Sequence, residues 1–222
     1  MTAALTGTAL LFWCLIMTNA AVAAALATAR RESVWHRDLD FSLVRQAPLV
    51  GSVTVDVVVV GGGFTGLWTA ILAKQLAPER SVAIVEAQHI GFGGSSRNGG
   101  FISESLTHGL AHGLALWPNE LHTLLELGRQ NFAEIQEFVR AEGGDAELVA
   151  CGKTAVATRA HEVEALRQAH ELHLQWGEDS TFLDAEAVQA DIHSPTFLAG
   201  MRLRTGSGLV NPAKLEIGRA HV

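Results

Sequence analysis

The sequence predicts an α/β protein whose first folded unit is a strand, a helix and a second, parallel strand. Three observations support this assignment. From Val53 to Val60 the chain is a run of valines broken only by a threonine and an aspartate, and it ends at glycines. Helix-forming residues follow from Thr65 to Ala77, and Pro78 marks their end. A short apolar run from Ser81 to Val85 then predicts the second strand.

Each element of this βαβ unit has a pattern of its own. The first strand is apolar at nearly every position, which is typical of a strand buried on both faces. The helix carries apolar residues on most sides, so we expect it to be buried as well. The crossover that joins the two parallel strands is expected to be right-handed.

Downstream, longer helices alternate with short strands, which predicts the beginning of an α+β region. Apolar residues at helical spacing predict amphipathic helices over Asn119–Glu142 and His161–Trp176. A shorter helix is expected over Asp184–Ile192, with its first residue as the cap. Strands are expected over 148–158, interrupted by Gly152 and Lys153, and over 197–209 together with a turn.

The composition excludes several classes of protein. Hydrophobic residues make up 48% of the 222 residues and charged residues 18%, which is typical of a globular chain. The formal net charge of −7 and the absence of a basic stripe argue against nucleic acid as a partner. The two cysteines, Cys14 and Cys151, are too few and too far apart for a disulfide scaffold or a thiolate zinc site.

Residues 1–30 form an apolar N-terminal segment with two interpretations. The stretch is uncharged up to Ala29 and is long enough to span a bilayer. As an anchor it would place the rest of the chain in the cytoplasm, because Arg30 and Arg31 follow it. Alternatively, the start codon is assigned too early and the stretch is not part of the protein. In both cases we expect the folded part to be cytoplasmic.

A glycine motif lies between the first strand and its helix. Gly61, Gly63 and Gly66 form the pattern G-x-G-x-x-G in the position that it has in Rossmann-type βαβ units. The first glycine permits the tight turn, the second lets a pyrophosphate approach the backbone, and the third allows close helix packing. The N-terminus of the helix then faces the phosphates. The motif therefore predicts a dinucleotide site.

An acidic residue completes this prediction. Glu86 ends the second strand, 20 residues after Gly66. A carboxylate there can accept both ribose hydroxyls of an adenosine and would repel a 2′-phosphate. The βαβ unit therefore favours FAD or NAD over NADP, without separating the first two.

Three segments carry a resemblance to a known family: Asp56–Gly66 (DVVVVGGGFTG), Val85–Ala87, and above all Gly91–Phe101 (GFGGSSRNGGF). They resemble the D-amino-acid-oxidase-like superfamily of FAD-dependent oxidoreductases, in the branch that contains γ-glutamylputrescine oxidoreductase. The family usually reads G-A-S-G-R-N-G-G, where this chain has Gly94 for the alanine and Ser96 for the third glycine. The resemblance implies FAD, with the loop at 91–101 wrapping the flavin side of the cofactor.

The motifs and the resemblance together define the expected cofactor site. Hydroxyl and amide groups of the loop offer hydrogen bonds, its arginine places a positive charge near the pyrophosphate, and its glycines allow close approach. No catalytic residue can be named, and no metal site is expected. The expected cofactor residues are Gly61, Gly62, Gly63, Phe64, Thr65, Gly66, Glu86, Ala87, Gly94, Ser95, Ser96, Arg97, Asn98 and Gly99.

The resemblance also implies the order of domains and an incomplete enzyme. We expect the chain to end before the family's remaining substrate sheet. The final segment resembles a translated sequencing adapter and is interpreted as a tail without biological meaning. The expected segments are a lead-in (31–52), the first part of the FAD-binding domain (53–147), the first part of the substrate domain (148–207), a return toward the FAD domain (208–216) and the tail (217–222).

The function implied is FAD-dependent oxidation of a C–N bond in a small-molecule amine or amino acid. Two alternatives stay open. One is an NAD-dependent dehydrogenase with an unusual loop after its second strand, and the other is an inactive fragment that binds no cofactor. Contact with a membrane is expected only through residues 1–30.

Overall fold

A computed structural model describes residues 20–27, 29, 32–37, 39, 46–141 and 145–219. Most of the apolar segment predicted over 1–30 therefore lies outside the described residues, as do the last three residues of the predicted tail. Residues 20–27 are helical. In the part of the chain that the structure describes, no helix combines the length and apolarity needed to cross a bilayer.

The predicted βαβ unit is present. It consists of β1 (Val57–Val60), α1 (Phe64–Leu76) and β2 (Val82–Val85). The two strands are parallel, with Val57 opposite Val82 and Val60 opposite Val85. Both strands are flanked by α1, which crosses from one to the other. The sequence-based assignment of this unit is confirmed.

The length and burial predicted for the first strand are wrong. Strand β1 covers only four residues, and alternate positions face solvent, with Val58 58% and Val60 82% exposed. Among the described residues β1 pairs only with β2, so the sheet has two strands. The helix is likewise buried on one side, at Leu67, Ala70 and Ile71. Burial on both faces requires neighbouring layers that the described chain does not supply.

A second sheet joins the cofactor loop to the end of the chain. It contains β3 (Phe101–Ser103), β4 (Val149–Ala150) and β8 (Ser207–Leu209), in the antiparallel order β3-β8-β4. Phe101 lies opposite Leu209. The last strand of the described chain therefore lies between the strand that follows the cofactor loop and the strand that opens the next region.

A third sheet forms the predicted α+β region. Strands β5 (Lys153–Ala157), β6 (Ser180–Leu183) and β7 (Ala199–Leu203) pair antiparallel in the order β5-β7-β6. The predicted interruption between β4 and β5 is wrong for Lys153, which is the first residue of β5, but is confirmed at Gly152, which has a φ of +69°. A side chain there would overlap the carbonyl oxygen of Leu203, so this turn requires glycine.

Five further helices pack on these sheets or between them. The first predicted amphipathic helix is present with slightly shorter bounds, and the second has the predicted length but begins and ends one residue earlier. Asp184 caps the next one by accepting a hydrogen bond from Ala187 N at 2.9 Å. The first and the last of the five were not predicted: the first has a glycine-containing sequence without a strong apolar period, and the last begins in the predicted return segment and runs into the predicted tail as far as residue 219. They are α2 (Leu110–Leu116), α3 (Leu121–Ala141), α4 (Ala160–Gln175), α5 (Ala185–Asp191) and α6 (Pro212–Arg219).

A small apolar core fixes the position of the first glycine turn. Ala146, Val210 and Leu215 are buried together. Phe64, the first residue of α1, and Ile102 of β3 pack against them. Segments from the middle and from the C-terminal part of the described chain thus hold the N-terminus of α1 in place.

Candidate cofactor site

The first glycine motif forms the turn between β1 and α1. Gly61 has a φ of +101°, which favours glycine. A side chain at Gly66 would overlap the carbonyl oxygen of Gly61, so only glycine allows α1 to lie this close to the turn. The tight turn and the close helix packing predicted for these two residues are both present.

Glu86 lies beside the same turn. Its Oε2 accepts a hydrogen bond from Gly62 N at 2.8 Å, and its Oε1 accepts one from Gln88 N at 2.9 Å. These backbone donors, Gly62 first, hold the pKa of the Glu86 carboxyl below its usual range. The group is exposed and ionised at neutral pH, and its remaining lone pairs can accept hydrogen bonds from ribose hydroxyls.

The second motif meets the first at the N-terminus of α1. Ser95 Oγ accepts a hydrogen bond from Phe64 N at 3.0 Å. A Cβ at Gly63 would lie 2.9 Å from the same Oγ, so the missing side chain makes this approach possible. Gly63 is the N-cap and brings no side-chain acceptor of its own. The structure thus brings both glycine-containing segments together at one helix terminus.

Asn98 determines the shape of the second loop. Its Nδ2 donates to the carbonyl oxygens of Gly94 at 3.2 Å and Ser95 at 2.8 Å. Its Oδ1 accepts a hydrogen bond from Gly100 N at 2.8 Å. The amide therefore closes the short 3-10 turn at Gly94–Ser96 and holds Ser95 in place.

Two predicted site residues, Arg97 and Ser96, have side chains that already bond to other parts of the protein. Arg97 Nε donates to Phe92 O at 2.6 Å, and its guanidinium lies 5.0 Å from the centre of the Phe92 ring. Ser96 is fully buried, and its hydroxyl bonds to Glu216. Ser96 is not among the described residues with positive φ, so its replacement of the family's glycine strains no backbone here.

The remaining predicted residues lie around the same turn without side-chain hydrogen bonds between them. Phe64 is packed in the core, while Thr65 and Ala87 are exposed. A Cβ at Gly99 would lie 3.1 Å from the Phe101 ring, whereas Gly94 faces open space. The cofactor roles assigned to the fourteen residues remain predictions.

The sequence reasoning missed Trp35. Its indole Nε1 donates to the carbonyl oxygen of Asn98 at 2.9 Å. Its ring lies 3.0 Å from the position of a Cβ on Gly100, whose φ is +74°. The lead-in therefore rests directly on the second loop. A single tryptophan in a mixed segment gave no periodic signal that could have shown this contact.

Glu216 is a second residue that the motifs did not indicate. It is 1% exposed, and its Oε1 accepts a hydrogen bond from Gly91 N at 3.2 Å. Burial raises the pKa of its carboxyl, although the bond from Ser96 acts in the opposite direction. Its carboxyl therefore joins α6 to the segment from Gly91 to Ser96.

These residues fit an adenine dinucleotide. The glycines of the turn carry no side chains of their own, and Ser95 Oγ lies over Gly63, where it accepts from Phe64 N. The N–H groups of Thr65 and Gly66 in the first turn of α1 stay available for a diphosphate, and the Glu86 carboxylate lies at the end of the next strand. The described residues contain no group of three or more potential metal ligands. The geometry defines the class as a Rossmann-type dinucleotide-binding protein.

Comparison with known proteins identifies the family. A family model described as FAD dependent oxidoreductase matches residues 56–220, and the chain belongs to this family. The chain is 30% identical over 178 residues to γ-glutamylputrescine oxidoreductase of Escherichia coli (strain K12), covering 76% of this chain and 39% of the relative. The chain thus spans about two fifths of the length of this curated relative.

Solved structures show the same fold. Glycine oxidase from Bacillus cereus ATCC 14579 matches with a TM-score of 0.60 at 22% identity, over 76% of this chain and 43% of that one. L-α-glycerophosphate oxidase from Mycoplasma pneumoniae, solved with FAD bound, matches with a TM-score of 0.56 at 22% identity, over 77% and 42%. The family is FAD-dependent, and this membership decides between the two dinucleotides in favour of FAD.

Proposed function

We propose that the full-length protein oxidises a C–N bond of a small-molecule amine or amino acid with FAD. The observation that carries the proposal is the meeting of Glu86, the first glycine turn and Ser95 at the N-terminus of α1. The substrate class is supported by relatives named γ-glutamylputrescine oxidoreductase, glycine oxidase and L-amino acid deaminase.

In this proposal the fourteen predicted residues hold the cofactor in distinct ways. The first-turn N–H groups of α1 that Ser95 leaves available bind the diphosphate beside Gly63. Glu86 accepts the hydroxyls of the adenosine ribose. The loop from Gly94 to Gly99, kept in shape by Asn98, borders the flavin side.

The substrate half of the reaction balances with water as the second reactant, and an external electron acceptor completes turnover. FAD, when bound, would supply the acceptor for the hydride equivalent that leaves the carbon beside the substrate nitrogen. The nitrogen lone pair forms the C=N bond of an imine, and a proton leaves the nitrogen. Water then hydrolyses the imine to a carbonyl compound and an amine or ammonia.

The 222-residue chain itself is proposed to retain FAD weakly and to have no turnover. The supporting observation is its coverage of 39% of the curated relative, together with the exposed valines on β1. Amine-dependent peroxide production by the purified chain would contradict this part of the proposal.

The test uses the full-length gene product. We expect a yellow protein with the flavin absorption bands, which bleach anaerobically when the correct amine or amino acid is added. Glycine, L-amino acids, putrescine and γ-glutamylputrescine form the substrate panel. A colourless protein that reduces NAD with one of these compounds would overturn the proposal, and so would a flavoprotein that none of them reduces.

A further inference from the structure

A polar cavity lies apart from the cofactor turn, at the far end of β3. Its volume is about 470 Å³. The end of β3, helix α3, the C-terminal end of α4 and the turn between β7 and β8 form its walls. Pockets that bind small molecules are typically about 300–1,000 Å³. The cavity is therefore large enough for a metabolite.

Glu104 supplies a carboxylate to this cavity. The residue directly follows β3, and its backbone N donates to Gly206 O at 2.9 Å. A side chain on Gly206 would overlap the carboxyl group, so the glycine makes room for it. Within the described part of the chain, the half-buried carboxylate makes no side-chain hydrogen bond or ion pair. Burial raises the pKa of the Glu104 carboxyl, and Arg129 acts in the opposite direction.

Two cations line the same cavity. Arg129 makes only a loose ion pair, 3.7 Å from the exposed Glu126. Lys153 at the start of β5 forms no ion pair with any residue that the structure describes. Both act electrostatically on Glu104, yet neither approaches it closely enough to pair with it. The cavity is therefore lined by the Glu104 carboxylate and by two cations, Arg129 and Lys153, that do not form an ion pair with it.

The other acidic residues of the wall are already engaged. Glu178 Oε2 lies 2.7 Å from His173 Nδ1, with both side chains largely buried. Asp179 lies 3.9 Å from Arg204. Glu104 is therefore the wall carboxylate that these neighbours leave available, among the residues described.

The remaining wall is mixed. Leu110, Leu125 and Trp176 supply apolar surface, and four residues with hydroxyl groups also line the cavity: Ser103, Ser105, Thr205 and Ser207. The apolar part can receive an aliphatic side chain of a ligand, while the polar and charged groups fix its orientation.

We propose that this cavity binds the zwitterionic head group of an amino acid, with the ammonium on Glu104 and the carboxylate on Arg129 and Lys153. The inference rests on the proposed function for its biological role, because it names the substrate class as amino acids rather than simple amines. The chain path agrees, since β3 leads from the cofactor loop directly to Glu104.

The experiment uses three probes that differ by one charged group. L-Norvaline carries both charges, butylamine lacks the carboxylate and pentanoate lacks the amine. The purified chain is titrated with each, and the indole N–H signal of Trp176, assigned with a Trp176→Phe variant, is followed by NMR. We expect norvaline to shift this signal and to bind at least about tenfold more tightly than either analogue, since each charge-assisted contact contributes that much.

Two variants and one control complete the test. Glu104→Gln should reduce norvaline affinity about tenfold and leave pentanoate binding unchanged. Arg129→Gln should weaken the binding of both norvaline and pentanoate. Glu164→Gln, on the exposed side of α4, should change nothing. Equal binding of butylamine and norvaline, equal binding of pentanoate and norvaline, or no response of Trp176 would each overturn the inference.

The readout separates this inference from the proposed function. Probe binding is measured without FAD and without turnover. If the full-length flavoprotein oxidises an amine but norvaline does not bind the cavity, the cavity inference is wrong and the proposed function is unaffected. Norvaline binding by a full-length protein that holds no flavin would contradict the proposed function alone.

Discussion

The indole N–H of Trp35 donates to the carbonyl oxygen of Asn98 at 2.9 Å, which joins the lead-in to the second glycine loop. We expect Trp35→Phe to lower the free energy of unfolding by about 1 kcal/mol, the typical value of one hydrogen bond. Trp35→Ala should cost more, because the ring that lies over Gly100 is lost as well. Denaturant unfolding measures both.

The control for this prediction is Trp117→Phe, at an indole that is 40% exposed. In the full-length protein, FAD affinity should fall with Trp35→Ala and not with Trp117→Phe. Equal effects of the two substitutions would show that Trp35 has no special relation to the loop.

Gly66 and Gly94 are both in the predicted site, yet they should respond differently to alanine. Gly66→Ala places a methyl group against the backbone of Gly61, so we expect a loss of about 3 kcal/mol. Gly94 faces open space and is not among the described residues with positive φ, so Gly94→Ala should change stability by less than about 0.5 kcal/mol. Thermal unfolding distinguishes them, and a mild Gly66→Ala phenotype would contradict the packing described.

The lowered pKa of Glu86 makes its contribution to stability depend on pH. For a carboxyl with a depressed folded pKa, the contribution is complete above the ordinary value of about 4.3. It is lost as pH falls through the folded value. Glu86→Gln should therefore destabilise the protein by about 1 kcal/mol at pH 7, an effect that solvent screening keeps small.

The check for Glu86 is a pair of unfolding curves at pH 7 and at about pH 2.5, well below the usual range of carboxyl groups. The difference between wild type and Glu86→Gln should shrink strongly at the lower pH. A constant difference would mean that the charge of Glu86 does not act through Gly62 and Gln88.

The pKa of Glu104 is raised rather than lowered, so its ionisation destabilises the folded protein. A carboxyl whose folded pKa is raised costs stability once it ionises, so the cost is absent below about pH 4.3 and complete above the folded value. Glu104→Gln should raise the free energy of unfolding at pH 7 and have little effect at pH 3.5. Destabilisation at pH 7 would show that Glu104 has a partner that stabilises its charge.

Val58 and Val60 present an apolar row on the outer face of β1. The purified chain should consequently bind a hydrophobic dye and associate as its concentration rises. Val60→Thr should reduce both and change stability by less than about 0.5 kcal/mol, because the side chain is 82% exposed. Light scattering and dye fluorescence test this, with Val59→Thr on the half-buried face as the destabilising comparison.

The local features of the fold were predictable because their causes are local. Gly61 and Gly66, which lie within six residues of each other, indicate a tight turn and a closely packed helix. Asp184 indicates the start of the helix that it caps. Residue type alone is sufficient in these cases, since the conformation of the backbone selects glycine or a short polar acceptor.

Features that depend on distant parts of the chain were not predictable in the same way. The burial of β1 depends on neighbouring strands, which its own sequence does not specify. Trp35 and Asn98 are 63 positions apart, and Ser96 and Glu216 are 120 apart. The position of Arg97 near a pyrophosphate was predicted from its charge alone, and its contact with Phe92 could not be predicted in this way.

The pairing of β3 with β8 has a consequence for biosynthesis. Gly100 O accepts a hydrogen bond from Val210 N at 2.8 Å, so the end of the second loop is tied to a residue translated much later. Closing so long a loop costs entropy that local contacts cannot offset early. A nascent polypeptide on the ribosome can therefore form its first βαβ unit well before the end of the second loop is held in place.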